Sequence, residues 1–312
     1  MSTGVVVRGV VLEGTGGLWR VHTVDGEVHE ASMRGRLKQE AAAGAAPVLK
    51  LAVGDDVDLE RDARDGVWAI VRILPRRSTL ARRNPGGRWG ERVIAANVDQ
   101  VVVVFAAAQP DPHPRMLDRF LVIAEGNELA ARIVVNKAEL VGGRAVVDAR
   151  FALYVAAGYP LHAISVNARD GLDAVRDAFA GRNSVVTGPS GVGKSSLLNA
   201  LYPGLALRVG EVSEAVQKGR HTTVGALLHP IAGGGSIIDT PGLREVGLWG
   251  FVPEEIATCF PEFRPFLGTC RYGDCTHTVE PGCAVRAAIG GAIAPGRYDS
   301  FTSLRDEALA GD

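Results

Sequence analysis

Cysteine is missing from the first 258 residues of this 312-residue chain, and only 4 are present in all. Three of them crowd around one histidine, which in a reducing compartment suggests a metal before a disulfide. Charge of one sign is also lacking: the formal net charge is -1, so the chain is no polycation. Nucleic-acid contact would have to come from local basic patches. No stretch approaches the roughly 18 consecutive apolar residues of a membrane span. The N-terminus lacks a basic region followed by an apolar core and a small-residue cleavage site. The expectation is a cytoplasmic protein with no membrane contact, acting as a monomer. A content of 46% hydrophobic and 22% charged residues is ordinary for a globular protein with a real core. At roughly 100–200 residues per domain, the length allows two or three.

What is present falls into four stretches. Residues 1–75 carry short β-rich runs, Gly4 to Leu12, Leu18 to Val24 and Val67 to Ile73, between turns such as Gly14-Thr-Gly-Gly17 and Asp25-Gly26. This pattern reads as a small antiparallel OB-like β-barrel. Residues 76–96 read as a basic linker holding Arg76, Arg77, Arg82, Arg83, Arg88 and Arg92, with Trp89 and Pro85-Gly-Gly87 among them. Arginine pairs with phosphate and an exposed tryptophan can stack on a base, so Arg76, Arg77, Arg82, Arg83, Arg88 and Trp89 are RNA-contact candidates. A plain solvated connector fits the same residues.

From residue 97 to 248 the pattern alternates between apolar strands and helices. Strand candidates are Val98 to Phe105, Ala131 to Val135, His162 to Ser165, Ser184 to Thr187 and Ser236 to Ile238. Helical stretches run from Arg115 to Glu125, Val146 to Ala157 and Leu172 to Ala180. Near-continuous apolar strands between helices indicate a mainly parallel sheet covered on both faces. Gly233-Gly-Gly235 reads as a hairpin turn joining Ala226–Ile231 to the last of these strands.

Within this region Gly188-Pro189-Ser190-Gly191-Val192-Gly193-Lys194-Ser195 fits GxxxxGK[ST], with a strand before it and a helix, opened by Ser195-Ser196, after it. Consecutive backbone N–H groups and a helix N-terminus can then converge on phosphates, with Lys194 as a point charge and the Ser195 hydroxyl on Mg²⁺. Asp239-Thr-Pro-Gly242 has the DxxG form, in which Asp239 holds the Mg²⁺ shell and the Gly242 N–H reaches a γ-phosphate. Asn136-Lys137-Ala138-Glu139 resembles the NKxD guanine motif of GTPases, with Glu139 where Asp is usual. Ser165-Val166-Asn167 occupies the place of a loop whose backbone meets guanine O6. The motifs stand out of the usual order, guanine motif first and DxxG last, so the sheet must be circularly permuted, which surface termini allow. Between them lies Lys218-Gly-Arg-His221-Thr222-Thr223. Thr223, or alternatively Thr222, could complete the Mg²⁺ shell, and His221 could orient water or merely sit exposed. Leu243 stands where self-sufficient GTPases place glutamine, so unaided turnover should be slow.

Residues 249–312 carry Cys270-x₄-Cys275-x-His277-x₅-Cys283, a full tetrahedral donor set for one structural Zn²⁺. Cys259 lies apart and reads as core. His22, His29, His113, His162 and His229 have no partners in sequence.

On Asn136-Lys137, Gly188 to Ser196, Gly219 to Thr223, Asp239 to Gly242, Phe260-Pro-Glu-Phe263 and the Cys/Cys/His/Cys set, the chain resembles the ribosome small subunit-dependent GTPase A family of circularly permuted bacterial GTPases. The resemblance implies three parts: an OB-like barrel, a permuted α/β P-loop GTPase and a helical zinc-binding domain. It also implies GTP hydrolysis to GDP stimulated by the small ribosomal subunit, a role in late subunit maturation, and rRNA contacts by barrel and zinc domain. Lys194, Thr223 and His221 would serve catalysis. Two rival readings are a P-loop phosphotransferase on a small molecule and a non-hydrolysing RNA-binding protein.

Overall fold

The computed structural model describes residues 6–34, 50–62, 66–82, 92–205, 226–240 and 251–310. Strands β1 (Val6–Thr15), β2 (Leu18–Thr23), β3 (Val28–Met33), β4 (Asp56–Arg61) and β5 (Trp68–Ile73) close a barrel in the order β1-β2-β3-β5-β4. Alternate side chains point inward, where Val11, Val21, Ala31, Val57, Leu59 and Ile70 are buried together. The β1–β2 turn uses Gly16 and Gly17, both at positive φ. Strands β3 and β4 escape sequence reading because polar residues interrupt them, His29, Glu30 and Ser32 in one and Asp56, Asp58, Glu60 and Arg61 in the other.

The stretch read as a linker is folded in part. Strand β6 (Thr79–Arg82) pairs antiparallel with β7 (Arg92–Ala96), and Leu80 and Ala95 are fully buried. Arg76 is no free RNA contact. Its Nε and Nη2 meet both Asp55 oxygens at 2.7 and 2.8 Å, Nη2 also donates to the Lys50 carbonyl at 2.7 Å, and the side chain is only 7% exposed. A planar fork matched to a buried carboxylate is a structural clamp. Arg77 remains exposed at 63%. Arg83, Arg88 and Trp89 lie outside the described residues, as does the side chain of Arg82.

Six further strands form one sheet: β8 (Gln100–Ala106), β9 (Ala130–Asn136), β10 (Leu161–Ala163), β11 (Arg182–Thr187), β12 (Leu227–Pro230) and β13 (Gly235–Asp239). Their spatial order is β10-β9-β8-β11-β13-β12, all parallel except the β12 edge. The chain therefore lays one half of the sheet first, returns to the centre with β11, and finishes the other half. That is the circular permutation expected from motif order. Strand β8 feeds both layers. Val101, Val103 and Phe105 face helix α1 (Pro114–Gly126), while Val102, Val104 and Ala106 face α4 (Leu172–Phe179) and α5 (Lys194–Leu201). The single helix expected over Val146–Ala157 is two, α2 (Arg144–Arg150) and α3 (Ala152–Ala156). They break at Phe151, whose φ of −102° and ψ of 10° leave the helical region while its ring is buried.

Beyond the sheet, short 3₁₀ turns lead to α6 (Ala284–Ala287) and α7 (Pro295–Ala310). Phe260, Phe263 and Phe301 pack with ring centroids 5.0 to 5.8 Å apart, so Phe260-Pro-Glu-Phe263 is a packing motif. Next to them Arg297, 1% exposed, bonds Asp118 of α1 at 2.5 Å and Glu262 at 2.6 Å and lies 4.5 Å from the Phe260 ring centroid. Two carboxylates and an aromatic face compensate this buried guanidinium. Through it the C-terminal segment is bound to the sheet's helical layer.

Candidate functional site: loops at the carboxyl edge of the sheet and a cysteine–histidine cluster

Parallel strands open their carboxyl ends as ligand crevices. Three of the motif segments end there: Asn136 closes β9, Asp239 closes β13, and the Gly188–Ser195 loop follows β11. Strand pairing puts Val186 of β11 beside Asp239. On the other side Asn136 reaches the loop directly, its Nδ2 donating to the Val192 carbonyl at 3.0 Å.

Backbone space explains the loop's glycines. A Cβ on Gly188, at φ +136°, would sit 2.0 Å from the Val104 carbonyl oxygen. One on Gly193, at φ +93°, would sit 2.5 Å from Asn136 Nδ2. Any side chain at either place would push loop and strands apart. The N–H groups of Ser190, Gly191, Val192 and Gly193 make no backbone hydrogen bond among the described residues. Together with the start of α5, where Ser195 and Ser196 occupy the first turn, they make an anion cradle. Lys194 Nζ folds over the loop and donates to the Gly188 and Pro189 carbonyls at 2.7 and 2.5 Å. Pro189 and Ser190 lie on the same loop, and the Val192 side chain is buried in the core beneath it.

Asn136 is the joint of the site. While its Nδ2 holds the phosphate loop, its Oδ1 accepts the Val166 N–H at 3.1 Å. Lys137, at φ +63°, donates to the Gly191 carbonyl at 2.8 Å and to the Gln109 carbonyl. Ala138 is buried, with its N–H on the Ile164 carbonyl at 3.0 Å. Glu139 is exposed and accepts from Asn167 Nδ2 at 3.2 Å. Partial desolvation raises its pKa, but hydrogen bonds from Ser165 and Asn167 outweigh that and hold the carboxyl below the usual range. An ionised carboxylate, an acceptor for two donors, is thereby maintained at the end of β9. Ser165 spends its N–H on the Asp170 carbonyl at 3.0 Å and its Oγ accepts the Ala168 N–H at 3.0 Å. Its backbone N–H is therefore already engaged. Ser165-Val166-Asn167 was singled out for guanine O6, and the structure adds that the Val166 N–H and Asn167 Nδ2 bond Asn136 and Glu139. Gln109 was not singled out, since its contact with Lys137 joins loops separated along the chain. His221, Thr222, Thr223, Gly242 and Leu243 lie outside the described residues.

The second site is local. Donor atoms of Cys270, Cys275, His277 and Cys283 lie within 4.8 Å of one another. Cys270 Sγ and Cys283 Sγ are 3.9 Å apart, and each is 3.5 Å from His277 Nδ1. Bond lengths of about 2.3 Å to sulfur and 2.0–2.1 Å to nitrogen give tetrahedral edges of roughly 3.5–3.8 Å, so the set can hold one metal ion. Burial holds the His277 pKa below its usual value, favouring the neutral imidazole a metal needs. The Ala284 and Arg286 N–H groups point at Cys270 and Cys283 sulfurs at 3.4 and 3.5 Å. Tyr298 Oη donates to the His277 carbonyl at 2.9 Å, tying the loop to α7.

Residues 73–249 match the RsgA GTPase family. A relative from Gemmatimonas aurantiaca, named small ribosomal subunit biogenesis GTPase RsgA, is 63% identical over 303 residues, covering 96% of this chain and 97% of that one. A protein of the same name from Bacteroides fragilis is 36% identical over 304 residues, with 96% and 97% covered. Among solved structures, YjeQ from Thermotoga maritima aligns with a TM-score of 0.79 at 31% identity, covering 98% of this chain and 99% of that one. YloQ, described as a circularly permuted GTPase, aligns at 0.73 and 27% identity, with 99% and 96% covered.

Proposed function

This chain belongs to the RsgA GTPase family, and from that membership we propose that it hydrolyses GTP to GDP and phosphate in the biogenesis of the small ribosomal subunit. The observation that carries the reading is the pair of hydrogen bonds by which Asn136 donates to the Val192 carbonyl of the phosphate loop and accepts from the Val166 N–H. A phosphotransferase needs a phosphate cradle but gains nothing from a guanine motif bolted to it. Here the base-selecting segment and the cradle are one construction. Glu139 would accept from guanine N1–H and the 2-amino group, donors that adenine does not present.

Ser195 at the start of α5 and Asp239 at the end of β13 flank the cradle with oxygen donors suited to Mg²⁺, and Thr223 would complete the set. An ion held by these residues would supply positive charge against the phosphates. Lys194 would exchange two loop carbonyls for phosphate oxygens, bringing its charge to where negative charge develops. Leu243 cannot hydrogen-bond to water, so turnover depends on a group such as His221 or on the ribosomal subunit. The Cys₃His set would hold Zn²⁺, with no position left for chemistry, as a structural element of the C-terminal region. Barrel, C-terminal segment, the exposed Arg77 and the candidates Arg82, Arg83, Arg88 and Trp89 would supply rRNA contacts. That role would put the protein in the cytoplasm. No helix among the described residues is long and apolar enough to cross a membrane.

GTP turnover measured with and without small ribosomal subunits tests the reading. We expect slow basal turnover and marked acceleration by subunits. Absence of both binding and acceleration would overturn the subunit role, and Ser195→Ala with unchanged turnover would remove Ser195 from the site.

A further inference from the structure

The sheet has a second polar edge. At the amino ends of β8, β9 and β11, opposite the nucleotide loops, lies a cavity of about 500 Å³ whose lining includes Gln100, Arg132, Tyr159, Arg182, Pro261 and Arg264. Its charges are unequally answered. Arg264 pairs with Glu125 at 2.6 Å. Asp99, also at the cavity, accepts the Asn183 N–H at 2.8 Å and faces Arg77 at 3.4 Å. Arg132 and Arg182 have no carboxylate partner among the described residues. Arg132 Nη1 lies 2.8 Å from His162 Nε2 and its Nε reaches Gln100 Oε1 at 3.4 Å. Arg182 reaches the Ala178 carbonyl at 3.3 Å.

Gln100 stands between the two arginines on the middle strand, with its Nε2 spent on the Ala178 carbonyl and Ser184 Oγ at 2.8 and 2.9 Å. Burial first and the Arg182 charge second lower the pKa of Arg132. Burial, with the Arg132 and Arg144 charges behind it, likewise lowers that of His162. Arg132 is half-buried and Arg182 exposed, and two neighbouring cations with no carboxylate between them favour an anion there. Guanidiniums match the oxygens of a phosphate with forked hydrogen bonds. The volume exceeds that of a lone ion and falls within the ~300–1,000 Å³ of small-molecule sites.

We propose that this cavity is a second phosphate-binding site, in which Arg132 and Arg182 share one phosphate group at the junction of the sheet with the C-terminal segment. The phosphate belongs either to an RNA backbone or to a free nucleotide or phosphate ion. Because Pro261 and Arg264 form one wall, its occupant touches both the GTPase sheet and the segment leading to the cysteine–histidine cluster.

The test uses the full chain with GDP and Mg²⁺ saturating the phosphate loop, so turnover plays no part in the readout. Resonances of the His162 ring are followed by NMR while inorganic phosphate, or in a separate arm a short single-stranded RNA without terminal phosphates, is added. We expect saturable shifts, an affinity about tenfold weaker in Arg182→Gln, and none measurable in Arg182→Glu. Arg264→Gln, whose guanidinium is already neutralised, should change affinity less than about twofold. Thermal melting of the Arg182 variants, whose side chain is at the surface, confirms that they fold. A response to RNA alone assigns a backbone phosphate, and a response to phosphate assigns a free one. Silence of His162 toward both probes, or an unchanged midpoint in Arg182→Gln, overturns the site.

Discussion

Asn136, Gly193 and Asp239 must be gathered from positions scattered between 136 and 239, whereas the four metal-ligand candidates sit within residues 270–283. The nucleotide loops take their geometry from a six-stranded sheet, and their own contacts are backbone carbonyls and amides fixed by it. The cysteine–histidine set takes its geometry from a short turn, which brings the Cys270, Cys283 and His277 donor atoms 3.5–3.9 Å apart. One site is therefore preorganised by long-range folding, the other by a local turn. The buried Arg297 contact is what lets the second behave as part of the first's body.

If that contrast is right, damage at each site should have a different signature. Lys194→Ala should lower GTP turnover by on the order of 10²–10³ while metal content stays unchanged, since the charge it removes and the loop carbonyls it releases lie away from the 270–283 turn. Steady-state kinetics alongside metal analysis checks this, and loss of metal in that variant would merge the two sites into one. Arg297→Ala should cost about 3–5 kcal/mol in chemical denaturation, because Asp118 and Glu262 would be left buried without a counter-charge. A loss under about 1 kcal/mol would show that the C-terminal segment is held elsewhere. Arg76→Ala should lose about 1.5–3 kcal/mol from the paired Asp55. Arg77→Ala, with its exposed side chain, should leave stability unchanged and affect only RNA affinity. The smallest effect belongs to chelation. Removing the metal should open the 270–283 loop to protease yet alter GDP affinity less than about threefold, because no loop of the cradle depends on that ion.

The same contrast explains what the amino-acid sequence disclosed. Contiguous motifs were legible because their chemistry is local: the Gly188–Ser195 loop, Asp239 and the Cys₃His set could each be named from spacing, and motif order alone implied the permuted sheet. The parallel strands were legible because Val101–Phe105 and Ile133–Val135 are apolar on both faces. Strands β3 and β4 were not, since polar residues such as Glu30, Asp56, Asp58 and Glu60 interrupt their apolar pattern. Arg76 was misread because composition could not reveal that Asp55 waited beneath it. Arg132, Arg182 and Arg297 were passed over for a related reason. Each is a lone basic residue in its segment, and only the fold brings Arg132 and Arg182 to one cavity or encloses Arg297 between two acids.

The central claim is that a single guanosine triphosphate spans the guanine motif and the phosphate loop. It is tested most directly by competition of GTP and ATP against fluorescent GDP, in wild type and in Glu139→Ala. We predict that GTP displaces the probe and ATP does not, and that Glu139→Ala narrows the gap between the dissociation constants of GTP and ATP about tenfold or more by weakening guanine nucleotides, probe included, and not ATP. Equal displacement by ATP, or selectivity untouched in Glu139→Ala, would contradict the account.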